Sequence, residues 1–126
     1  MLLSGPGKAG TLTAQGHPRA IFNRAIERGN LVIAETTARE IGRMSLAEAL
    51  ELTGLIARKD PRRHGRAATR WLRLYLEHSP GAGLDDAAFV VGALSALGGP
   101  HHDAALLALR DLAERASSGQ QARGVA

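Results

Sequence analysis

Arginine has the most suggestive spacing in this chain. Arg62, Arg63, Arg66, Arg70 and Arg73 fall within about one third of a helical circumference if residues 61–78 form a helix at about 100° per residue. Arg58 and Lys59 extend the positive region at the preceding turn. A row of guanidinium groups on a rigid rod can hold carboxylates or track phosphates, and with phosphates the affinity comes largely from counterion release. The competing account is a solvated or internally paired face. Glu77 stands four residues after Arg73, and Glu48, Glu51, Asp85, Asp86, Asp103 and Asp111 are further candidate partners. Several of the arginines fall near the helix start, where positive charge is disfavoured, so an acidic neighbour or a partner must offset them.

Other chemistries find weaker support in the residues. Gly5-Pro6-Gly7-Lys8-Ala9-Gly10-Thr11 superficially resembles a phosphate loop, but Leu2 replaces the required glycine and Ala9 replaces the magnesium-binding hydroxyl. The histidines (His17, His64, His78, His101 and His102) include no pair at metal-ligand helical spacing. His64 falls on the apolar side of the arginine helix, where backbone can satisfy it, and His101 and His102 fit a surface-exposed first turn. No serine lies in a nucleophile-elbow context, and Asp85-Asp86 diverge on a helix. Thr37 to Ser45 resembles the first helix and turn of a helix-turn-helix, yet the following helix would present Glu48 and Glu51 to phosphates. The expectation is therefore no enzyme, no cofactor and no metal.

The elements that must position the arginines are helical. Asn30 can cap a helix after Gly29 ends the preceding one, Ser45-Leu46-Ala47-Glu48 is a capping box, and Asp60-Pro61 reads as a cap followed by proline at the first helical position. These signals predict helices over 18–28, 31–42, 46–59, 61–78, 84–97 and 101–116. Short connections make sequential helices antiparallel neighbours. The expected fold is all-α, with about six short helices as three αα-hairpins. Leu46, Ala49 and Gly54 recur 38 positions on as Leu84, Ala87 and Gly92, so a short helical-repeat-like stack stands beside a closed bundle. In helix 61–78, Trp71 and Tyr75 face the core. Helix 84–97 is uncharged after Asp86 and reads as a central core helix, with Gly92 permitting close approach of another helix.

Composition bounds the rest. The chain has 126 residues, 44% hydrophobic but only 3% aromatic, so alanine and aliphatic residues supply the core. There is no cysteine, which removes disulfides and thiolate chemistry. The net charge of +4 is mildly basic. Residues 1–16 hold four glycines and Pro6 and read as a disordered tail, as do residues 117–126; residues 17–116 read as the folded domain. No secretory or membrane-spanning segment is evident, which points to a cytoplasmic protein.

Arg24–Asn30, Ser45–Leu52 and Arg70-Trp71-Leu72 resemble stretches of small all-helical proteins of high-GC bacteria that have no assigned function. The resemblance implies a helical fold and a bacterial cytoplasm, with no activity or site residue to carry over. The expected role is a non-catalytic interaction module. It would use Arg58, Lys59, Arg62, Arg63, Arg66, Arg70 and Arg73 to bind an acidic protein or a second copy of itself. Sequence-independent nucleic-acid binding through the same arginines is the alternative.

Overall fold

A computed structural model describes residues 16–125, with side-chain surroundings over 17–119. The expected tail 1–16 lies outside the described residues apart from Gly16. Every regular element among those described is helical: α1 (Gly16–Arg28), α2 (Leu31–Ile41), α3 (Leu46–Lys59), a 3₁₀ turn (Pro61–Arg63), α4 (His64–His78), α5 (Leu84–Ala96) and α6 (His102–Val125). The chain divides into two compact units, Met1–Met44 and Ser45–Ala126.

The first unit is a hairpin of α1 and α2. Asn30 N donates to Ala25 O and Gly29 N to Ile26 O, the paired bonds of a Schellman ending. That geometry needs a left-handed residue after the helix, and Gly29 supplies it at φ 69°. Asn30 then starts α2, its Oδ1 accepting from Ile33 N at 3.1 Å. Phe22, Ala25 and Ala34 are buried, and the buried Thr37 hydroxyl returns its hydrogen to Ile33 O at 2.8 Å. At the open end the Arg19 guanidinium donates to Arg43 O.

The second unit holds α3 to α6. Its first helix starts as the sequence indicates: Glu48 N donates to Ser45 Oγ at 3.0 Å, and Ser45 N donates to the Glu48 carboxylate at 2.9 Å. Helix α3 packs on α4, α4 on α5, α5 on α6, and α6 returns to α3, which closes a four-membered ring. The α6–α3 seam is fastened by a fork in which Arg110 Nε and one terminal nitrogen donate to the two Glu51 carboxylate oxygens at 2.7 and 2.9 Å. That hydrogen bond with Glu51 is the main cause holding the Arg110 pKa above its ordinary value. On the same seam, a Cβ at Gly54 would lie 3.3 Å from the Leu106 side chain, so glycine lets α3 and α6 approach.

Leu46, Leu50, Trp71, Tyr75, Val90, Leu94, Leu97, Ala105 and Leu109 fill the ring. Trp71 is its largest member. It is 1% exposed, its indole N–H donates to Leu46 O at 3.0 Å, and its ring stacks on Tyr75 with centroids 5.7 Å apart.

Five sequence expectations change. The helix expected from Pro61 begins with a 3₁₀ turn, and α4 proper starts at His64. Asp60 does not cap it, because its carboxylate is taken by Arg63 Nε at 2.7 Å. The last helix, expected to stop at 116 before a disordered tail, runs to Val125. Ser117-Ser118-Gly119 lacks a proline, and the Gln, Ala and Arg that follow are tolerant of helix, so continuation gains one backbone bond per residue. Helix α5 is not central. Only Val90 and Leu94 are buried along it, while Phe89 and Val91 are exposed. In this ring α4 and α6 also touch across the centre, while α5 packs on α4 and α6 alone, so much of α5 faces outward whatever its composition. Gly92 lies on that open side, where an added Cβ would meet nothing within 4 Å.

Trp71→Ala is expected to cost about 3–5 kcal/mol in urea unfolding, and Trp71→Phe about 1–3 kcal/mol, because the Phe variant loses the indole N–H bond to Leu46 O and leaves part of the ring's space unfilled. Equal stability of Trp71→Phe and the parent would show that the indole bond does not hold α3 to α4.

Candidate functional site

Helix α4 places its side chains by simple periodicity. Ala67, Trp71 and Tyr75 follow at four-residue steps and are buried against the ring. Arg66, Arg70 and Arg73 lie at i, i+4 and i+7 on the opposite face, and all three are exposed. Arg62 and Arg63 precede them on the 3₁₀ turn and are exposed as well. Of the basic row expected from the sequence, Arg66, Arg70 and Arg73 thus share one face of α4, while Arg62 and Arg63 lie on the turn before it. Arg58 and Lys59, exposed at the end of α3, stand apart from it. Arg58 lines a separate hollow of about 420 Å³ at the end of the bundle, with Pro61, Leu97, His102 and Asp103 among its neighbours.

Four of the candidate internal partners are engaged elsewhere. Glu51 holds Arg110, Asp86 accepts from Gly83 N at the start of α5, and Asp111 pairs with Arg115. Glu48 closes the α3 capping box. Within the row, Arg63 pairs with Asp60 at 2.7 Å. No described carboxylate lies within ion-pair distance of Arg62, Arg66, Arg70 or Arg73, and the spacing of Glu77 to Arg73 does not yield a pair. At the α4 start the described residues supply one carboxylate, Asp60, and it is taken by Arg63.

Beside the row runs a groove that sequence reasoning did not find. It is about 360 Å³ in volume and lies between α4 and α5, lined by Gly65, Ala68, Thr69 and Leu72 on one side and Val91, Leu94 and Ser95 on the other. His64 closes one end. Its Nε2 donates to Leu94 O at 2.8 Å, as a histidine on the apolar side of α4 should, and its buried Nδ1 has no hydrogen-bond partner among the described residues. The uncharged run of α5 was the one signal present, but an all-apolar helix has no direction in its own sequence. Only the packing shows which side is open.

Two further histidines serve the backbone. His102 Nδ1 bonds Leu97 O at 2.7 Å, so it is half-buried where a surface position was expected, while His101 is exposed. His78 Nδ1 bonds Leu74 O. Among the described residues no three His, Asp or Glu side chains gather closely enough to hold a metal ion, and no helix is long and apolar enough to cross a membrane.

Comparison with known proteins adds no relative: no family model, no curated protein and no solved structure matches the chain.

If the arginine row carries no structural load, replacing Arg66, Arg70 and Arg73 together with Gln should shift unfolding free energy by no more than about 0.5 kcal/mol. A loss above about 1.5 kcal/mol in urea titration would show that these side chains hold the fold rather than face a partner.

Proposed function

We propose that the protein is a non-catalytic helical interaction module whose working surface is the arginine face of α4, and that its partner is an acidic protein segment. The observation that carries this reading is the combination of order and lack of neutralisation. Arg66, Arg70 and Arg73 stand on one face of α4, backed by the Trp71–Tyr75 core, with Arg62 on the turn before it, and no described carboxylate pairs with any of the four. A carboxylate-rich partner would supply the missing charge through planar, bidentate contacts of the kind Arg110 already makes with Glu51. Trp71 and Tyr75, the aromatic side chains of α4, are turned inward, so neither offers the arginine face an aromatic ring on which single-stranded bases could stack.

Fluorescence anisotropy with a labelled oligo-glutamate peptide and with a labelled DNA duplex tests the assignment, in salt from about 50 to 200 mM. The peptide should bind at low salt, and the quadruple change of Arg62, Arg66, Arg70 and Arg73 to Gln should weaken it at least about tenfold, the loss of roughly 0.4 kcal/mol per screened pair. Tighter binding of the duplex, with a steep salt slope abolished by the same variant, would move the arginines onto phosphates. Binding of neither probe overturns the proposal. Assembly of the chain on itself in native mass spectrometry, lost in the quadruple variant, would replace the acidic partner by a second copy.

A further inference from the structure

The arginine row and the α4–α5 groove share a wall. Thr69, which lines the groove, follows Arg66 by three residues and precedes Arg73 by four, so it is the surface neighbour of both. Around the helix the order is therefore groove floor (Ala68, Leu72), groove lip (Gly65, Thr69) and then basic rim (Arg66, Arg73). The apolar strip continues past the groove. Leu76, one turn beyond Leu72, is 39% exposed, and Leu84, two turns before Val91 on the antiparallel α5, is 87% exposed. From Gly65 to Leu76 the strip spans twelve residues of α4, or about 16 Å, the length of three helical turns.

We infer that this composite surface is a docking groove for an amphipathic helix with a carboxylate-bearing flank, a specificity that rests on the arginine reading and deepens it. Apolar side chains at i, i+3, i+4 and i+7 of the ligand enter between α4 and α5, and its acidic flank meets the rim of Arg62, Arg66 and Arg73. The small Gly65 and Ala68 on one wall and Ser95 on the other let a ligand backbone come close. An added Cβ at Gly65 would meet nothing within 4 Å, so the lip is open.

Charge complementarity decides the occupant. The segment 1–15 carries Lys8 as its sole charged residue and has no carboxylate to meet the rim. A second copy offers no unbroken acidic flank: Arg39 stands between Glu35 and Glu40 on α2, and Glu48, Glu51 and Asp111 are engaged by Ser45, Arg110 and Arg115. Its carboxylates are interspersed with arginines on α2 and α6, and those of α5 are confined to Asp85 and Asp86 in the first turn. The ligand is therefore a helix of another protein, with acidic residues along one flank.

Two labelled peptides of identical composition separate this inference from the simpler arginine reading. One is an 18-residue helix with Leu on one face and Glu beside it; the other is its scramble, which keeps the charge and destroys the apolar face. The helix should bind at least about tenfold more tightly than the scramble. The double variant Gly65→Gln, Val91→Gln should remove that preference without weakening the scramble. Replacing Gly65 also raises helix propensity, and thermal unfolding checks that the variant remains folded. Amide chemical-shift changes on adding the helix should centre on Leu72, Val91 and Ser95. Equal affinity for the two peptides, or shift changes away from the groove, overturns the groove and leaves the arginine face standing. Failure of both peptides to bind overturns both.

Discussion

The rotation of α4 about its own axis is the constraint on which the second unit depends, and Trp71 sets it. The buried indole satisfies its single donor on Leu46 O at the start of α3, and its ring is held against Tyr75 one turn further on. With those two side chains committed inward, the four-residue step forces Ala67 to the same side and leaves Arg66, Arg70 and Arg73 opposite. The basic face is thus a geometric consequence of how a scarce aromatic residue is buried. A turn of α4 by one residue would drive an arginine toward the ring and leave the indole N–H without its acceptor.

The apolar groove has a related origin. A closed ring buries about half of each helix, and the chain meets this constraint differently at α4 and α5. On α4 the outward half is basic. On α5 it holds Ala88, Phe89, Val91 and Gly92, so apolar surface remains beside the arginines. A solubility argument alone would place polar residues there, as it does on α4. The proposed amphipathic ligand accounts for both outer surfaces with one partner, whereas an extended acidic chain accounts for the arginines alone.

Local signals made most of the fold legible in the sequence. The Gly29–Asn30 junction and the Ser45–Glu48 box are complete within a few residues, and both form as their spacing indicates. The inward turn of Trp71 and Tyr75 and the outward turn of the arginines also followed from helical period. What the period could not supply was anything decided between helices. Asp60 looked like a cap until Arg63 competed for its carboxylate. Helix α5 looked central because uniform apolarity carries no phase, and Gly92 looked like a contact point because glycine marks both close packing and open space. The groove is invisible in sequence for the same reason: its two walls are about 25 residues apart, and each alone is an ordinary helix face.

The chain's acidic residues explain why one basic face stands out in a protein of only modest net charge. Most arginine–carboxylate contacts in the second unit serve the fold. Glu51 and Arg110 join α3 to α6, Asp111 and Arg115 lie one turn apart on α6, and Asp60 steadies Arg63 at the 3₁₀ turn. Glu48 and Asp86 are engaged by backbone N–H groups at helix starts. Each of these uses removes a carboxylate that could have neutralised α4. The field of the module is then set less by the excess of arginine over acid than by where the acids are already committed. At an exposed surface this asymmetry has a small energetic effect on folding, since screened charges interact weakly. Its effect on association is larger, because a desolvated guanidinium–carboxylate contact gains strength as an apolar ligand face excludes water beside it. An apolar groove flanked by arginines that no described carboxylate neutralises is the arrangement in which that gain is greatest.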